Sequence, residues 1–437
     1  MLVHVCQRWR IIIFASPRRL GLYLICSEGT RVRENLANWP VAIPLIVNNT
    51  YHRYAPDQED DVLAALEHSD RVHRIEILGT DSLLNKVTKV MQKPFPALSH
   101  LSISWNDNGE LLPVEPAPVI PRRFLGEYAS KLQYLYLRHI SVPHFPVLLS
   151  SARNLVTLHL NSIPQDGSTV AEGLAMSPCL TTLSIVRFNS ETSAADGISG
   201  PQDPPIRAIL PSLTVFHYRG YSEYLENFLA QIDTPRVDSV KIEYHEHFRP
   251  RERQVLQLSR FVNRTEKLKF NLIKRARILF NYDFSLQLAF PQRDWLQTKL
   301  SLTCLDMITP ESVNTLGQLS ATFSNVNHLS IYGYTEYLVE WLSCLRQFPA
   351  VKVLILSGRV TVHIVSVLAD AARSGTDLFP ALHHISFVDD KFDDEESDEE
   401  ESGRKDEETL QWDIERFLSL RKRSGLPVAL TDSRRLG

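Results

Sequence analysis

A short phrase, in which apolar residues stand at positions 1, 4 and 6, recurs along this chain and restricts what it can fold into. It stands at Val72/Ile75/Ile77, Leu98/Leu101/Ile103, Leu132/Leu135/Leu137, Leu155/Leu158/Leu160, Leu180/Leu183/Ile185, Leu213/Phe216/Tyr218 and Val237/Val240/Ile242. After a poorly marked stretch it returns at Val326/Leu329/Ile331, Val351/Leu354/Leu356 and Leu382/Ile385/Phe387. The last two apolar positions are two residues apart, the spacing of one face of a β-strand. Each phrase therefore predicts a short strand with one buried face. Such a unit covers too little surface by itself, so neighbouring units are expected to stack and share a core.

Successive phrases begin 26, 34, 23, 25, 33 and 24 residues apart, then 25 and 31. Leucine-rich repeats have a period of ~20–29 residues, so most steps fit and the longer ones imply inserted loops. The Pro-rich stretches 113–121 and 196–211 fall within the two longest steps and read as insertions. The expected fold is α/β: an irregular leucine-rich-repeat solenoid, a horseshoe of short parallel strands with helical returns. About ten to twelve strands are expected. A concave row of strands would offer an extended surface to another protein.

Two units match closely. Residues 213–229 and 326–342 align without a gap, with Gly220/Gly333, Tyr221/Tyr334, Glu223/Glu336, Tyr224/Tyr337, Leu225/Leu338 and Leu229/Leu342 identical. Gly-Tyr ends a strand and permits a tight turn. Ser222 or Thr335 then caps a helix whose apolar residues include Tyr224, Leu225, Phe228, Leu229 and Ile232, and Pro235 or Pro349 stops it. The position that is Asn or Cys in regular repeats is Asn only at Asn106. Ile140, Ile163, Phe188, Tyr221 and Tyr334 take it elsewhere, so apolar packing is expected to fill the turns.

Hydrophobic residues make up 43% of the chain and charged residues 22%, which excludes a collagen, a disulfide scaffold and a wholly disordered chain. The net charge of −4 gives no whole-protein field for nucleic acid or membrane. Cys6, Cys26, Cys179, Cys304 and Cys344 are odd in number and widely spaced. They read as reduced thiols in the cytoplasm or nucleus rather than bridges or zinc ligands. The sequons at Asn48 and Asn263 are then chance matches. Arg8, Arg10, Arg18 and Arg19 give an acid-free, Arg-rich start, but Pro17 interrupts any amphipathic presequence helix. No apolar run reaches the ~20 residues of a membrane span.

Residues 389–408 hold 13 acids and three bases, so the rest of the chain is net positive. That block is expected to be a disordered loop, with Ser397 in the acidic context an acidophilic kinase prefers. A helix is predicted over 407–423, with apolar face Leu410, Ile414, Phe417 and Leu418. Arg421-Lys422-Arg423 would match its dipole and Gly425 would lie just beyond it, making it the cap of the solenoid. No GxSxG, Walker loop, GxGxxG or HExxH is present. His245-Glu246-His247 reads as a polar strand end, and His383-His384 point to opposite faces. No catalytic residue, cofactor or metal is assigned.

The segment Val5-Cys6-Gln7-Arg8-Trp9-Arg10, with Phe14-Ala15-Ser16-Pro17-Arg18-Arg19-Leu20, resembles the last third of an F-box. The chain resembles the F-box/leucine-rich-repeat proteins of mushroom-forming (basidiomycete) fungi. Further family-like phrases are Val32-Arg33 with Trp39-Pro40, the run from Ala64 to Val72, Pro94-Phe95-Pro96-Ala97-Leu98, and Tyr221-Ser222-Glu223-Tyr224-Leu225 with Ile232-Asp233-Thr234-Pro235. The resemblance implies a substrate-recognition subunit of an SCF-type ubiquitin ligase. Its F-box would bind a Skp-type adaptor joined to a cullin, and its repeats a target protein. Val5, Cys6, Trp9 and Arg10 match the helix near the end of the F-box and would form the edge of the adaptor contact. Met1 falls inside the motif, so the expectation is a partial F-box. Its alternative is a leucine-rich-repeat scaffold without the adaptor.

The resulting organisation is a partial F-box-like segment at 1–27, a connecting segment with a helix at 28–71, the repeats at 72–388, the acidic loop at 389–408 and the capping helix and tail at 409–437. The expected partners are the Skp-type adaptor with its cullin and an unidentified target on the repeats, with no nucleic acid and no membrane.

Overall fold

The computed structural model describes residues 7–8, 11, 23–27, 31–50, 59–105, 117–187, 207–244, 256–265, 268, 274–280, 284–289, 298–304, 323–333, 341–388 and 400–432. The chain is α/β, with mostly parallel strands and no closed barrel among the described residues. It divides into two units, residues 1–217 with 230–236 and residues 218–229 with 237–437.

A turn absent from the phrase as read in the sequence sets up most of its strands. In the first unit the N–H of the leading apolar residue donates to the carbonyl three residues back. The pairs are Leu98 to Phe95 (3.1 Å), Leu132 to Ala129 (3.0 Å), Leu155 to Ala152 (3.0 Å) and Leu180 to Ser177 (3.2 Å). The second unit repeats it at Val326 to Phe323 (3.0 Å), Val351 to Phe348 (3.3 Å) and Leu382 to Phe379 (3.0 Å). Both ends of every one of these turns are buried. Pro96, Pro178, Pro349 and Pro380 take the second position, where a fixed φ suits the turn and no N–H is wasted.

In the first unit seven parallel strands are hydrogen-bonded in chain order: β1 (Leu24–Ser27), β2 (Leu45–Asn49), β3 (Val72–Gly79), β4 (His100–Trp105), β5 (Tyr134–Arg138), β6 (Thr157–Asn161) and β7 (Thr182–Val186). The phrase residues lie in register: Ile75, Leu101, Leu135, Leu158 and Leu183 form one row, and Ile77, Ile103, Leu137, Leu160 and Ile185 the next. All are essentially inaccessible. The sheet starts upstream of the first phrase, because Leu45 and Val47 pair with Val72 and Ile75 and are fully buried. Arg71 ties this junction together, its guanidinium donating to the carbonyls of Ile43 (3.0 Å) and Pro40 (3.2 Å).

The returns carry α1 (Val32–Asn38), α2 (Glu59–Glu67), α3 (Asp81–Val90), a 3-10 turn (Phe124–Glu127), α4 (Phe145–Ser151) and α5 (Gly167–Leu174). Asp166 caps α5, accepting from the Thr169 N–H at 2.6 Å and the Ser168 hydroxyl at 2.9 Å. Burial pushes its carboxyl up, but these bonds outweigh that and hold it below the ordinary range. Ile140 and Ile163 are buried, as the apolar filling of the turns predicts. The preceding residues, His139 (φ 54°) and Ser162 (φ 50°), are left-handed and extend the ladder by donating to Asn161 and Val186. A short pair, β8 (Ala208–Ile209) with β10 (Ile232–Asp233), completes this unit. The strand between them, β9 (Val215–Gly220), belongs to it through His217.

The second unit explains the poorly marked stretch. Its sheet runs β11 (Ser239–Tyr244), β14 (Thr298–Cys304), β13 (Phe284–Ala289), β12 (Arg275–Phe280), β15 (His328–Gly333), β16 (Val353–Ser357), β17 (His384–Phe387) and β18 (Ala429–Asp432). Strands β12, β13 and β14 form an antiparallel meander, and only its outer members are parallel to β11 and β15. The phrase disappears there because a meander replaces the helical return. Leu329, Leu354 and Ile385 form one buried row, and Ile331, Leu356 and Phe387 another. The meander, β1, β2 and β18 take the strand number beyond the expected ten to twelve.

The helices of this unit are α6 (Ser222–Gln231, in the unit through Leu229), α7 (Leu256–Arg264), α8 (Trp341–Leu345), α9 (Val360–Arg373) and α10 (Glu400–Arg423). Ser222 begins α6, and Leu225, Phe228 and Leu229 are buried as predicted. Helix α10 starts earlier than the predicted 407, within the stretch expected to be disordered, and ends where predicted. Gly425 (φ 75°) then receives the reversed chain, with the Leu426 N–H bonded to Arg421 O at 3.0 Å. Of the predicted apolar face Leu410 and Phe417 are buried, while Ile414 and Leu418 are half-buried.

Glu226 of α6 is buried and accepts the N–H groups of Gln257 (2.6 Å) and Leu258 (3.0 Å), closing the start of α7. Burial pushes its carboxyl up to about 8, against the pull of those two donors. A raised acid favours folding most below its unfolded value near 4.5, and that contribution is lost as pH rises through about 8. Glu226→Gln is therefore expected to match the wild type near pH 4 and to be more stable above pH 8, by roughly 1–3 kcal/mol. Urea unfolding at both pH values checks this, and an unchanged difference between them rejects it.

Candidate functional site

Alternation along the strands of the first unit leaves one face half-exposed once the phrase residues are buried. Register then lines up Arg74, His100, Tyr134, Thr157 and Thr182 in one row, and Glu76, Ser102, Tyr136, His159 and Ser184 in the next. Four of these residues form an aromatic group. The His100 and Tyr134 rings stack at 3.9 Å with an interplanar angle of 3°, and His159 lies 5.4 Å from Tyr134 and 6.1 Å from Tyr136. Directly opposed residues on neighbouring strands are close enough for such pairing.

Charge enters this face as a compensated pair. Arg74 forms an ion pair with Glu76, whose carboxylate also lies 3.5 Å from His100 Nε2 and accepts from Asn48 Nδ2 at 3.2 Å. Burial and then Arg74 push the His100 imidazole below its ordinary value, against the pull of Glu76. Burial, followed by His217, pushes His159 down, and burial first of all pushes the Tyr134 phenol up. Near neutral pH the face therefore presents neutral His100 and His159 imidazoles and the neutral Tyr134 phenol, flanked by hydroxyls and the Asn161 amide. These are adaptable hydrogen-bonding groups on rigid aromatic bodies, suited to holding a protein surface or an extended peptide.

Chemistry on a substrate has less support. Ser99 Oγ lies 2.7 Å from His73 Nδ1, but the hydroxyl also lies 3.2 Å from the His73 carbonyl. Among the described residues no carboxylate orients that imidazole, so the pair ties β3 to the start of β4. Among the described residues no three His, Cys, Asp or Glu side chains group so as to hold a metal ion. No described helix is long and apolar enough to cross a membrane.

Val5, Cys6, Trp9, Arg10 and Ser397 lie outside the described residues, as do His245, Glu246 and His247. Sequence reasoning did not name His100, Tyr134, Tyr136 or His159. Their signal was present, since they occupy the non-apolar positions around each phrase, but only register brings them together. No family model matches this sequence, and no curated protein matches it.

Proposed function

We propose that this chain is a non-enzymatic protein-interaction protein, the substrate-recognition subunit of an SCF-type ubiquitin ligase. In this reading the parallel units are leucine-rich repeats stacked as a solenoid. The row from Arg74 to Thr182 and the row beside it lie on its concave, target-binding face. The observation that carries the reading is the registered aromatic group His100, Tyr134, Tyr136 and His159 on a half-exposed sheet face. Aromatic side chains on a rigid scaffold are what protein interfaces concentrate. The F-box resemblance of Val5, Cys6, Trp9 and Arg10 supports the link to the ligase through a Skp-type adaptor and cullin. The dispersed cysteines support a cytoplasmic or nuclear setting.

The test is co-expression of the full chain with a Skp-type adaptor, followed by size-exclusion chromatography. The expected result is a stable one-to-one complex that Trp9→Ala abolishes while the urea midpoint stays unchanged. Failure to form that complex rejects the ligase link and leaves a repeat scaffold. Under either outcome, Tyr134→Ala combined with Tyr136→Ala is expected to weaken target capture without loss of fold.

A further inference from the structure

Helices α9 and α10 and the turn that follows α9 enclose a cavity of about 220 Å³. Its floor is apolar, because Leu368 of α9, Phe379 and Leu382 of the turn and Phe417 of α10 are all buried. The exposed Gly375, Thr376 and Ser424 form its mouth. Gly375 keeps that mouth open, with nothing within 4 Å of where a Cβ would stand. Arg421 of α10 is part of the wall and almost wholly buried. Its Nη1 lies 2.6 Å from both Asp377 oxygens and its Nη2 donates to the Leu382 carbonyl at 3.0 Å, so its charge and both prongs of its fork are engaged. Its Nε–H is different: it is buried, and no acceptor among the described residues reaches it. A buried donor without an acceptor carries a desolvation cost that an acceptor oxygen in the cavity would remove.

We propose that this cavity binds a small, neutral, ring-containing molecule that presents one oxygen acceptor to Arg421 Nε. The site goes beyond the ligase reading and stands whether or not the adaptor binds. Size sets the scale: an apolar cavity of ~150 Å³ takes a benzene ring, so about 220 Å³ suits a ring with a polar arm of roughly three further atoms. Phe379, Phe417 and Leu368 give such a ring its apolar contacts. Neutrality follows from the charges present. Asp377 and Arg421 are the two charged residues lining the cavity, and they are already paired with each other. A carboxylate would therefore meet Asp377 with no spare cation, and an ammonium group would find no spare carboxylate.

The probe is acetophenone, a ring with one carbonyl arm, and α-methylstyrene is its isostere without the oxygen. Isothermal titration calorimetry on the full chain is expected to give saturable binding of acetophenone with a Kd below about 1 mM. Ala372→Phe fills the cavity from the α9 wall and is expected to abolish that binding. Ser424→Phe obstructs the exposed mouth with the same expected result, and it serves where the first variant disturbs packing. Arg421→Lys tests the donor, since it keeps a positive charge beside Asp377 and puts a methylene where Nε stood. Acetophenone is then expected to bind about tenfold more weakly, because a hydrogen bond from a charged group is lost. Binding of α-methylstyrene is expected to change by no more than about twofold. The inference is overturned if acetophenone shows no saturable binding, which would leave the donor to water, or if both phenylalanine variants bind it like the wild type. It is equally overturned if Arg421→Lys weakens the two probes alike, or if benzoate binds more tightly than acetophenone.

Discussion

Gly358→Ala is expected to destabilise the second unit by about 2–5 kcal/mol, measured as a lowered urea midpoint. Two independent effects add. Gly358 has φ +76°, a left-handed conformation that costs an L-residue roughly 1–2 kcal/mol. A Cβ there would also press on the Gly333 carbonyl oxygen, far inside van der Waals contact, and that neighbour is backbone rather than a side chain that can swing aside. Forcing extra atoms into such a site costs about 1–3 kcal/mol more. Gly375 provides the control, since it has φ +74° but nothing within 4 Å of an added Cβ. Gly375→Ala is expected to cost only about 1 kcal/mol. Equal losses at the two positions would show that the Gly333 peptide yields and that close approach is not what fixes Gly358.

Asp377→Asn is the second large effect expected. Arg421 of α10 is almost inaccessible, with 5% of its side chain exposed. Its Nη1 lies 2.6 Å from each oxygen of Asp377, and Nη2 donates to the Leu382 carbonyl at 3.0 Å. Removing the carboxylate charge leaves a buried guanidinium without its counter-charge, a situation that costs roughly 3–5 kcal/mol in fully buried pairs. Asp377 is 38% exposed, which places this case at the lower end of that range. Arg421→Met is expected to cost less, about 1–2 kcal/mol, because the apolar chain still fills the site and Asp377 can turn to water. Urea unfolding orders the two variants. A larger loss for Arg421→Met would mean that packing, not charge pairing, holds α10 in place. The neighbouring cavity of about 220 Å³, lined in part by Leu368, Phe379, Phe417 and Leu420, leaves room for a methionine.

Much of the fold was legible because burial on one face of a strand leaves a period of two in the sequence. The rows through Ile75 and Leu329 were readable for that reason, and so was the end of α10 at Gly425. The turn before each strand was legible in retrospect, since Phe-Pro-Ala followed by Leu or Val recurs at Phe95, Phe348 and Phe379. Strands β1 and β2 were missed because residues 23–49 lack the phrase, and the pairing of Leu45 with Leu24 and Val72 is a contact between distant parts of the chain. The early start of α10 was missed because like-charge repulsion argues against order. It gives no weight to a helix already nucleated by the buried Leu410 and Phe417.

Local pattern determined which residues are buried and that the chain is built from short strands with returns, since burial and turn chemistry act over a few residues. Only tertiary structure decided which strands become neighbours. The meander from β12 to β14 sits between β11 and β15, although nothing in its own residues specifies those partners. Register across strands is a long-range property, and it alone assembles His100 with Tyr134. Arg421 makes the same point within one residue. Its sequence position predicted a charge matched to the dipole at a helix end, and packing against Asp377 and Leu382 makes it a buried anchor as well.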